Sequence, residues 1–353
     1  MGERYFSEKV VEWYEEHKRE LPWRTTKDPY KIWLSEIILQ QTRIAQGLPY
    51  YLRFIEAFPD VKQLAAASEE KVLRFWQGLG YYTRARNLHK CAKEVVAKYH
   101  GEFPKTFEGL KALPGVGDYT AAAIASIAFG EPVAVVDGNV FRVFARVFGL
   151  DQPINTPDGK KLFVQLANKL IFGKNPDVHN QAVMEFGALH CTPKNPNCEV
   201  CIFKSECFAF ARNLQNSLPV KLRTKTSRKR YFYYFAIQRG KSFLMKKREQ
   251  KDIWHGLYDF YLVEKKRRVN VQALMKEDAL IRKATRVSEI VKISDAYKHV
   301  LSHQVIHATF VWLKAGNGFH ASDESIEFYS KKEISELPKS VLISRFLNDE
   351  LIL

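Results

Sequence analysis

Residues 113–140 read LPGVGDYTAAAIASIAFGEPVAVVDGNV. A Pro-Gly-x-Gly turn opens onto an alanine-rich helical segment, and an apolar run then halts at Asp137-Gly138-Asn139. Glycine tolerates positive φ and carries no Cβ, so the backbone N–H groups around Gly115 and Gly117 can converge on one phosphate. A helix beginning near Tyr119 adds its positive end to the same point. Ala121, Ala122, Ala123 and Ala125 let a second helix approach closely. Asp118 puts an acid beside the phosphate position, mildly unfavourably, and capping of the helix that follows is the expected reason for it. Asp137 reads as the N-cap of a helix starting near Asn139, and a carboxylate there can also face a ligand. The Gly-x-Gly pair alone describes a plain helical corner equally well.

The totals narrow the setting. A chain of 353 residues supports two or more domains with cores of their own. A formal net charge of +16 favours a polyanionic partner, nucleic acid first. No apolar run reaches the roughly 18 residues of a membrane span. The stretch MGERYFSEKVVEWYEEHKRE is charged and helix-like, without a signal-peptide core or the Ser/Thr of a myristoylation site. The expectation is a soluble, cytoplasmic chain associated with nucleic acid, with no membrane partner.

Residues 1–215 read as one all-α domain. SEKVVEWYEEHKREL, KIWLSEIILQQTRIAQGLPYYLRFIEAF, EEKVLRFWQGLG and RNLHKCAKEVVAKYHG repeat apolar residues at three- and four-residue spacing. Residues 216–228 form a basic linker, its charge carried by Lys221, Arg223, Lys225 and Arg228 and continued by Lys229 and Arg230. Residues 229–353 turn to RYFYYFAIQ, KSFLMKK, GLYDFYLVE and VIHATFVWLKA, strand-like runs around one helical stretch, VNVQALMKEDALIRKA. The fold class is therefore multidomain, an all-α domain followed by an α+β domain.

Four of the five cysteines fall in CTPKNPNCEVCIFKSEC, at Cys191, Cys198, Cys201 and Cys207. A secreted disulfide framework would spread its cysteines. Four thiolates spaced C-x6-C-x2-C-x5-C point to a metal centre, either an iron–sulfur cluster or tetrathiolate zinc. Cys91 reads as a core thiol.

Taken whole, LPGVGDYTAAAIASIAFG followed by VVDGNVFRVFAR resembles the helix–hairpin–helix superfamily of DNA base-excision glycosylases. The cysteine spacing is similar to the 4Fe–4S loop, residues 191–207 here, of its endonuclease III and MutY branch. On that resemblance Gly115 and Gly117 hold a DNA phosphate, Asp137 faces the sugar of an extruded nucleotide, and the cofactor is one 4Fe–4S cluster. Bifunctional relatives carry a lysine nucleophile where this chain has Tyr119, so Schiff-base chemistry is not expected. LPWRTTKDPYKIWLSEIILQQTRIAQGLPYY and GLGYYTRARNLHK resemble the MutY-type adenine DNA glycosylases.

That family implies a chemistry. Adenine leaves deoxyribose poorly until its N7 is protonated. Glu36, in the apolar IWLSEIILQQ, is the expected general acid, because burial raises a carboxyl pKa. Asp137 stays ionised and stabilises an oxocarbenium-like sugar, or bonds to it transiently, and Asn139 positions the site. Trp23, Arg24, Tyr119 and Gln181 match residues lining the adenine pocket. Gln41 and Tyr81, with Thr42 and Leu79 beside them, match those that wedge into the duplex.

KKREQKDIWHGLYDFYLVE resembles the start of a Nudix-like fold that lacks the acidic Nudix signature, so diphosphate hydrolysis is not expected. Leu301-Ser302-His303 match a family loop that inspects 8-oxoguanine, with Leu301 replacing the usual aromatic. The implied function is a monofunctional DNA repair hydrolase that removes adenine mispaired with 8-oxoguanine or guanine. Its partner is duplex DNA containing that mispair. A different base glycosylase of the superfamily, or a non-catalytic iron–sulfur DNA-binding protein, are the competing readings.

Overall fold

The computed structural model describes residues 2–171, 175–222, 227–316, 319, 321, 325–350 and 352. Arg223 and Lys225 of the basic run lie outside the described residues. In chain order the elements are α1 (Glu3–His17), α2 (Pro29–Leu39), α3 (Ile44–Ala57), α4 (Val61–Ala66), α5 (Glu69–Trp76), α6 (Thr83–Tyr99), α7 (Phe107–Lys111), α8 (Asp118–Phe129), α9 (Gly138–Phe148), α10 (Pro157–Leu170), α11 (Pro176–Leu189) and α12 (Phe208–Ala211). Then follow β1 (Arg228–Arg239), β2 (Ser242–Lys247), β3 (Tyr258–Lys265), α13 (Val271–Glu277), α14 (Ala279–Arg286), β4 (Ser288–Ile293), β5 (Tyr297–Leu301), β6 (Gln304–Ala315), β7 (Ile326–Ser330), α15 (Lys331–Glu336) and α16 (Val341–Asp349). The chain divides into two compact units, residues 1–66 with 87–223, and residues 67–86 with 224–353.

The first unit is helical. One core gathers Phe6, Val10 and Trp13 of α1, Val140, Val143 and Phe144 of α9, Phe163 of α10, and Val183 and Phe186 of α11 around Phe203 of the cysteine loop. α2 starts where Asp28 accepts the Tyr30 N–H at 2.9 Å, with Pro29 in its first turn. The long helix expected over 31–58 is two helices. Gln41 takes a left-handed φ of 54° and breaks the run, because the polar triplet Gln40-Gln41-Thr42 offers the core nothing to bury.

α8 packs on α2, α7 and α11. Ala121, Ala122, Ala123 and Ala125 are buried on it, as close helix packing requires. Gly115 sits at φ +75°, and a Cβ there would lie 2.6 Å from Asn87 Cβ, so both conformation and space demand glycine. Asp118 does not cap α8. Gly117 holds that position, and Asp118 pairs instead with Lys111 at 2.7 Å, which leaves the carboxylate occupied on the surface.

The stretch between α8 and α9 belongs to no helix or strand. Its backbone is satisfied by asparagines. Asn168 accepts the Ala134 N–H at 3.0 Å, and Asn180 accepts the Val135 N–H at 3.0 Å while donating to the Val133 carbonyl at 2.9 Å. This anchoring delivers Asp137 to the start of α9.

The second unit holds a seven-stranded mixed sheet, β4-β6-β1-β3-β2-β7, with β5 also paired to β6. β1 and β6 run parallel and the other pairs are antiparallel. The parallel pair needs a crossover, and α13 and α14 lie within it. Tyr233, Phe235, Val311 and Leu313 form a core with Leu274, Ile281 and Ala284 of those helices. On α16, Phe346 stacks on Phe310 with ring centres 4.2 Å apart. The single helical run expected over 269–284 is split at Asp278, which caps α14 by accepting the Leu280 and Ile281 N–H groups at 3.0 Å. β5 and β6 are joined by the two-residue turn Ser302-His303.

Candidate functional site

In the first unit a groove of about 750 Å³ is lined by Glu36, Gln41, Gly115, Gly117, Tyr119, Asp137 and neighbours that include Lys160. It gathers residues from α2, the glycine turn, α8 and the start of α9.

Glu36 lies on α2, whose residues are buried on every side, and is itself 8% exposed. Burial pushes its carboxyl up to about 7, and the nearby Asp137 charge adds to the rise. The hydrogen bond with the Tyr119 hydroxyl and the Arg24 guanidinium oppose it. Asp137 is raised by burial too, but it is held differently. Its Oδ1 accepts the Asn139 and Val140 N–H groups at 2.8 Å, as the N-cap of α9, and its Oδ2 accepts Asn139 Nδ2 at 2.7 Å. These bonds favour the ionised form at Asp137, so of the two neighbouring carboxyls Glu36 is the one suited to keep a proton.

Asn139 is fixed in turn by Arg142, which donates to its Oδ1 at 2.8 Å, to the Gly187 carbonyl at 2.5 Å and to the Cys191 carbonyl at 2.7 Å. One turn further along α9, Arg146 donates to the Thr192 carbonyl at 2.7 Å and lies 3.4 Å from Cys191 Sγ. A chain of hydrogen bonds thus runs from Asp137 to the cysteine loop along one helix.

Cys191, Cys198, Cys201 and Cys207 are free thiols sharing the wall of one small cavity with Arg146 and His190. Among the described residues no group of three or more His, Cys, Asp or Glu side chains is gathered to hold a metal ion. The donor set nevertheless suits a thiolate-bound group. The four cysteines line one cavity, Cys191 beside the fixed Arg146 guanidinium, and burial raises the thiols of Cys198, Cys207 and Cys201, the last to about 12. A bound metal would reverse that rise by taking the sulfurs as thiolates.

Trp23, Arg24 and Gln181 do not line the groove. Trp23 is buried edge-on against Tyr51. Gln181 Oε1 accepts the Tyr14 hydroxyl at 3.3 Å. Arg24 donates twice to Glu185, at 2.9 and 2.7 Å, and Arg19 clamps the same carboxylate. Burial alone would raise Glu185, but the bonds from Arg19 and Arg24 bring it down to about 2. Thr42 lies beside Gln41 in the break after α2. Glu185, Arg142 and Arg146 were not anticipated from the sequence. A charged residue inside an apolar helical pattern, as in NQAVMEFGAL and NVFRVFARVF, is the signal that could have found them.

Leu79, Tyr81, Ser302 and His303 belong to the second unit. Leu79 is buried and Tyr81 is 48% exposed. The Tyr81 hydroxyl hydrogen-bonds the Ser302 hydroxyl, and the His303 carbonyl accepts the Arg228 N–H at 3.1 Å. Among the described residues no helix is long and apolar enough to cross a membrane.

A glycine turn opening α8, an aspartate capping α9 and a separate unit built on a mixed sheet define a class, the base-excision DNA repair fold with an appended Nudix-type unit. The model of the HhH-GPD superfamily of base excision DNA repair proteins matches residues 34–169, and that of the NUDIX domain matches residues 233–349. Within that class the chain belongs to the adenine DNA glycosylase family, hydrolases of N-glycosyl bonds. It is 34% identical over 312 residues to the adenine DNA glycosylase of Buchnera aphidicola subsp. Baizongia pistaciae (strain Bp), covering 87% of this chain and 86% of that one. It is 44% identical over 224 residues to the Homo sapiens adenine DNA glycosylase, covering 60% of this chain and 41% of that one. Among solved structures, a thermostable thymine-DNA glycosylase aligns with a TM-score of 0.55 at 30% identity, over 59% of this chain and 96% of that one. An endonuclease III trapped on DNA shares the fold, with a TM-score of 0.52 at 22% identity over 61% of this chain and 99% of that one.

Proposed function

We propose that this chain is a monofunctional glycosylase that hydrolyses adenine from duplex DNA where adenine faces 8-oxoguanine or guanine, acting as a monomer. The observation that carries the reading is the unlike treatment of two buried carboxyls. Asp137 accepts three hydrogen bonds suited to a carboxylate, whereas Glu36 is pushed up to about 7.

The groups divide the chemistry. Glu36 gives its proton to adenine N7, and the C1′–N9 bond breaks with its electron pair passing to the base. Asp137, steadied by Asn139, balances the positive charge left on the sugar. Water adds to C1′ and loses a proton, leaving an abasic site. Gly115 and Gly117 hold a backbone phosphate. Tyr119 lines the pocket for the extruded base, and Trp23, Arg24 and Gln181, which lie outside the groove lining, shape it from behind. Gln41, Thr42, Leu79 and Tyr81 fill or border the gap left in the stack, and Ser302 and His303 read the opposite base. Residues 1–215, 216–228 and 229–353 serve as catalytic domain, linker and reading domain, with residues 67–86 belonging to the same compact unit as the last.

Cys191, Cys198, Cys201 and Cys207 are the residues that would hold one 4Fe–4S cluster. Such a cluster supplies a rigid cross-link for the basic loop, with no part in hydrolysis. Purified anaerobically, the protein is expected to be brown with about four irons per chain. Stoichiometric zinc in place of iron would overturn that assignment.

The test of the function is single-turnover base release from duplexes differing only in the base opposite adenine. Preference for 8-oxoguanine is expected, and its loss in the Ser302→Ala, His303→Ala double variant, by roughly 1–3 kcal/mol, is the corollary. Equal rates with all four opposite bases would reject the mispair reading. Efficient borohydride trapping on DNA would reject the monofunctional one.

A further inference from the structure

The turn carrying Tyr81 is built from unfavourable backbone. Gly78, Gly80 and Tyr81 have φ of 103°, 73° and 47°. For Tyr81 that conformation persists only if the surroundings enforce it. Part of the enforcement is internal, since Trp76 Nε1 donates to the Gly80 carbonyl at 3.0 Å and the Arg84 N–H to the Tyr81 carbonyl at 2.8 Å.

The two ends of the turn are also tied to the backbone of one residue, Lys339. At one end of the turn Gln77 Oε1 accepts the Lys339 N–H at 3.3 Å, and at the other the Tyr82 hydroxyl donates to the Lys339 carbonyl at 3.2 Å. The same Gln77 amide donates to Ser344 Oγ of α16 at 3.1 Å. Lys339 is a fixed post. It is buried, and its ammonium donates to the carbonyls of Ile334 at 2.6 Å and Leu337 at 3.1 Å, closing the end of α15. Residues 77–82, Lys339 and Ser302 all lie in the second unit. Tyr81, so held, meets the Ser302 hydroxyl.

We propose that Gln77 is a positioning residue for reading the base opposite adenine. Through the Lys339 peptide it sets the strained turn so that Tyr81 meets Ser302 and the two engage the duplex as one body. This deepens the roles proposed above for Tyr81 and Ser302 and rests on them.

The experiment compares full-length wild type with Gln77→Met, Gln77→Glu and Ser344→Ala, with Gln77→Ala as a second variant should Met misfold. Single-turnover base release is measured with adenine opposite 8-oxoguanine and opposite guanine. Gln77→Met keeps the volume and loses the amide's hydrogen bonds with Lys339, Ser344 and Arg74. It is expected to cut the preference for 8-oxoguanine roughly tenfold, while the rate opposite guanine stays within about twofold, because Glu36 and Asp137 lie in the other unit. Gln77→Glu keeps the acceptor for the Lys339 N–H and is expected to retain most of the preference. So is Ser344→Ala. Amide hydrogen exchange over residues 78–82 is expected to quicken in Gln77→Met and to stay unchanged in α8 and α9.

An unchanged preference, an equal fall in both rates, or a Glu variant no better than Met would overturn the role of Gln77. A wild-type chain with no preference would instead sink the reading of Ser302. Exchange would then decide Gln77 on its own, and unaltered exchange at 78–82 would overturn it.

Discussion

Glu36→Gln tests stability and chemistry together. The folded chain holds the Glu36 proton more tightly than the unfolded chain does, because burial lifts the carboxyl from 4.5 to about 7. The sign follows. Below about 4.5 the group is protonated in both states and is neutral for stability. As pH rises from there through about 7 the unfolded chain ionises first and folding loses free energy, after which the loss is constant. The displacement corresponds to about 3 kcal/mol. Glutamine is nearly the same shape and cannot ionise, so the variant is expected to be more stable by that amount near pH 8 and by nothing near pH 4.5. For a unit of this size the gain is roughly 6–12 °C in melting midpoint. The rate is expected to move oppositely. Base release in a single turnover falls about 10²–10⁴-fold, while the dissociation constant for the mispaired duplex holds. Melting midpoints of both proteins across the pH range, beside rates on one duplex, make the assay. A midpoint difference that does not grow with pH would refute the burial of an ionisable Glu36, and near-normal cleavage would refute its role as the acid.

Glu185→Ala leaves Arg19 and Arg24 without their shared carboxylate and is expected to cost about 3–5 kcal/mol in denaturant unfolding. Because Glu185 is brought down to about 2, its stabilising contribution is present above about 4.5 and disappears as pH falls toward 2, and the variant is expected to lack that acid-limb loss. Arg142→Met removes the donor shared by Asn139 and the carbonyls of Gly187 and Cys191. The expected result is a stability loss of about 1–3 kcal/mol and a lower single-turnover rate with mispair affinity kept, and an unaltered rate would show that Asn139 holds Asp137 without it. Gly115→Ala forces a Cβ toward Asn87 at positive φ, and is expected to weaken duplex binding at all sequences alike, with about 1–3 kcal/mol of strain, as read by salt-dependent binding and melting.

Much of the helical unit was legible because its signals are local. Pro-Gly-x-Gly before alanines, and Asp before Gly-Asn, are short-range instructions, and α8 and α9 follow them. β1, β2, β3 and β6 were legible from aromatic and β-branched runs. β4 was not. It is an edge strand with nearly every residue exposed, so no face imposes alternation on SEIVKI. β5 was hidden because its alternation is shallow, half-buried against exposed, and YKHVL has no fully buried position.

Residue types at the site were set by sequence alone: an acid in an apolar helix, an N-cap aspartate, a glycine turn and four clustered cysteines. Their chemistry was decided by tertiary structure. A glutamate in an apolar helix is an ordinary carboxyl until burial and the nearby Asp137 act on it, because desolvation and Coulomb coupling act through space. Glu185 becomes an anchor only when Arg19 and Arg24, more than 160 residues away, fold onto it. The grouping of residues 67–86 with the C-terminal unit likewise rests on hydrogen bonds spanning about 260 residues, such as Gln77 to Lys339. A sequence window records local propensity and periodicity, and it carries no record of which distant side chain removes water from which charge. That is why the inventory of groups was readable along the chain, while their protonation, their partners and the seating of the Tyr81 turn belong to the fold.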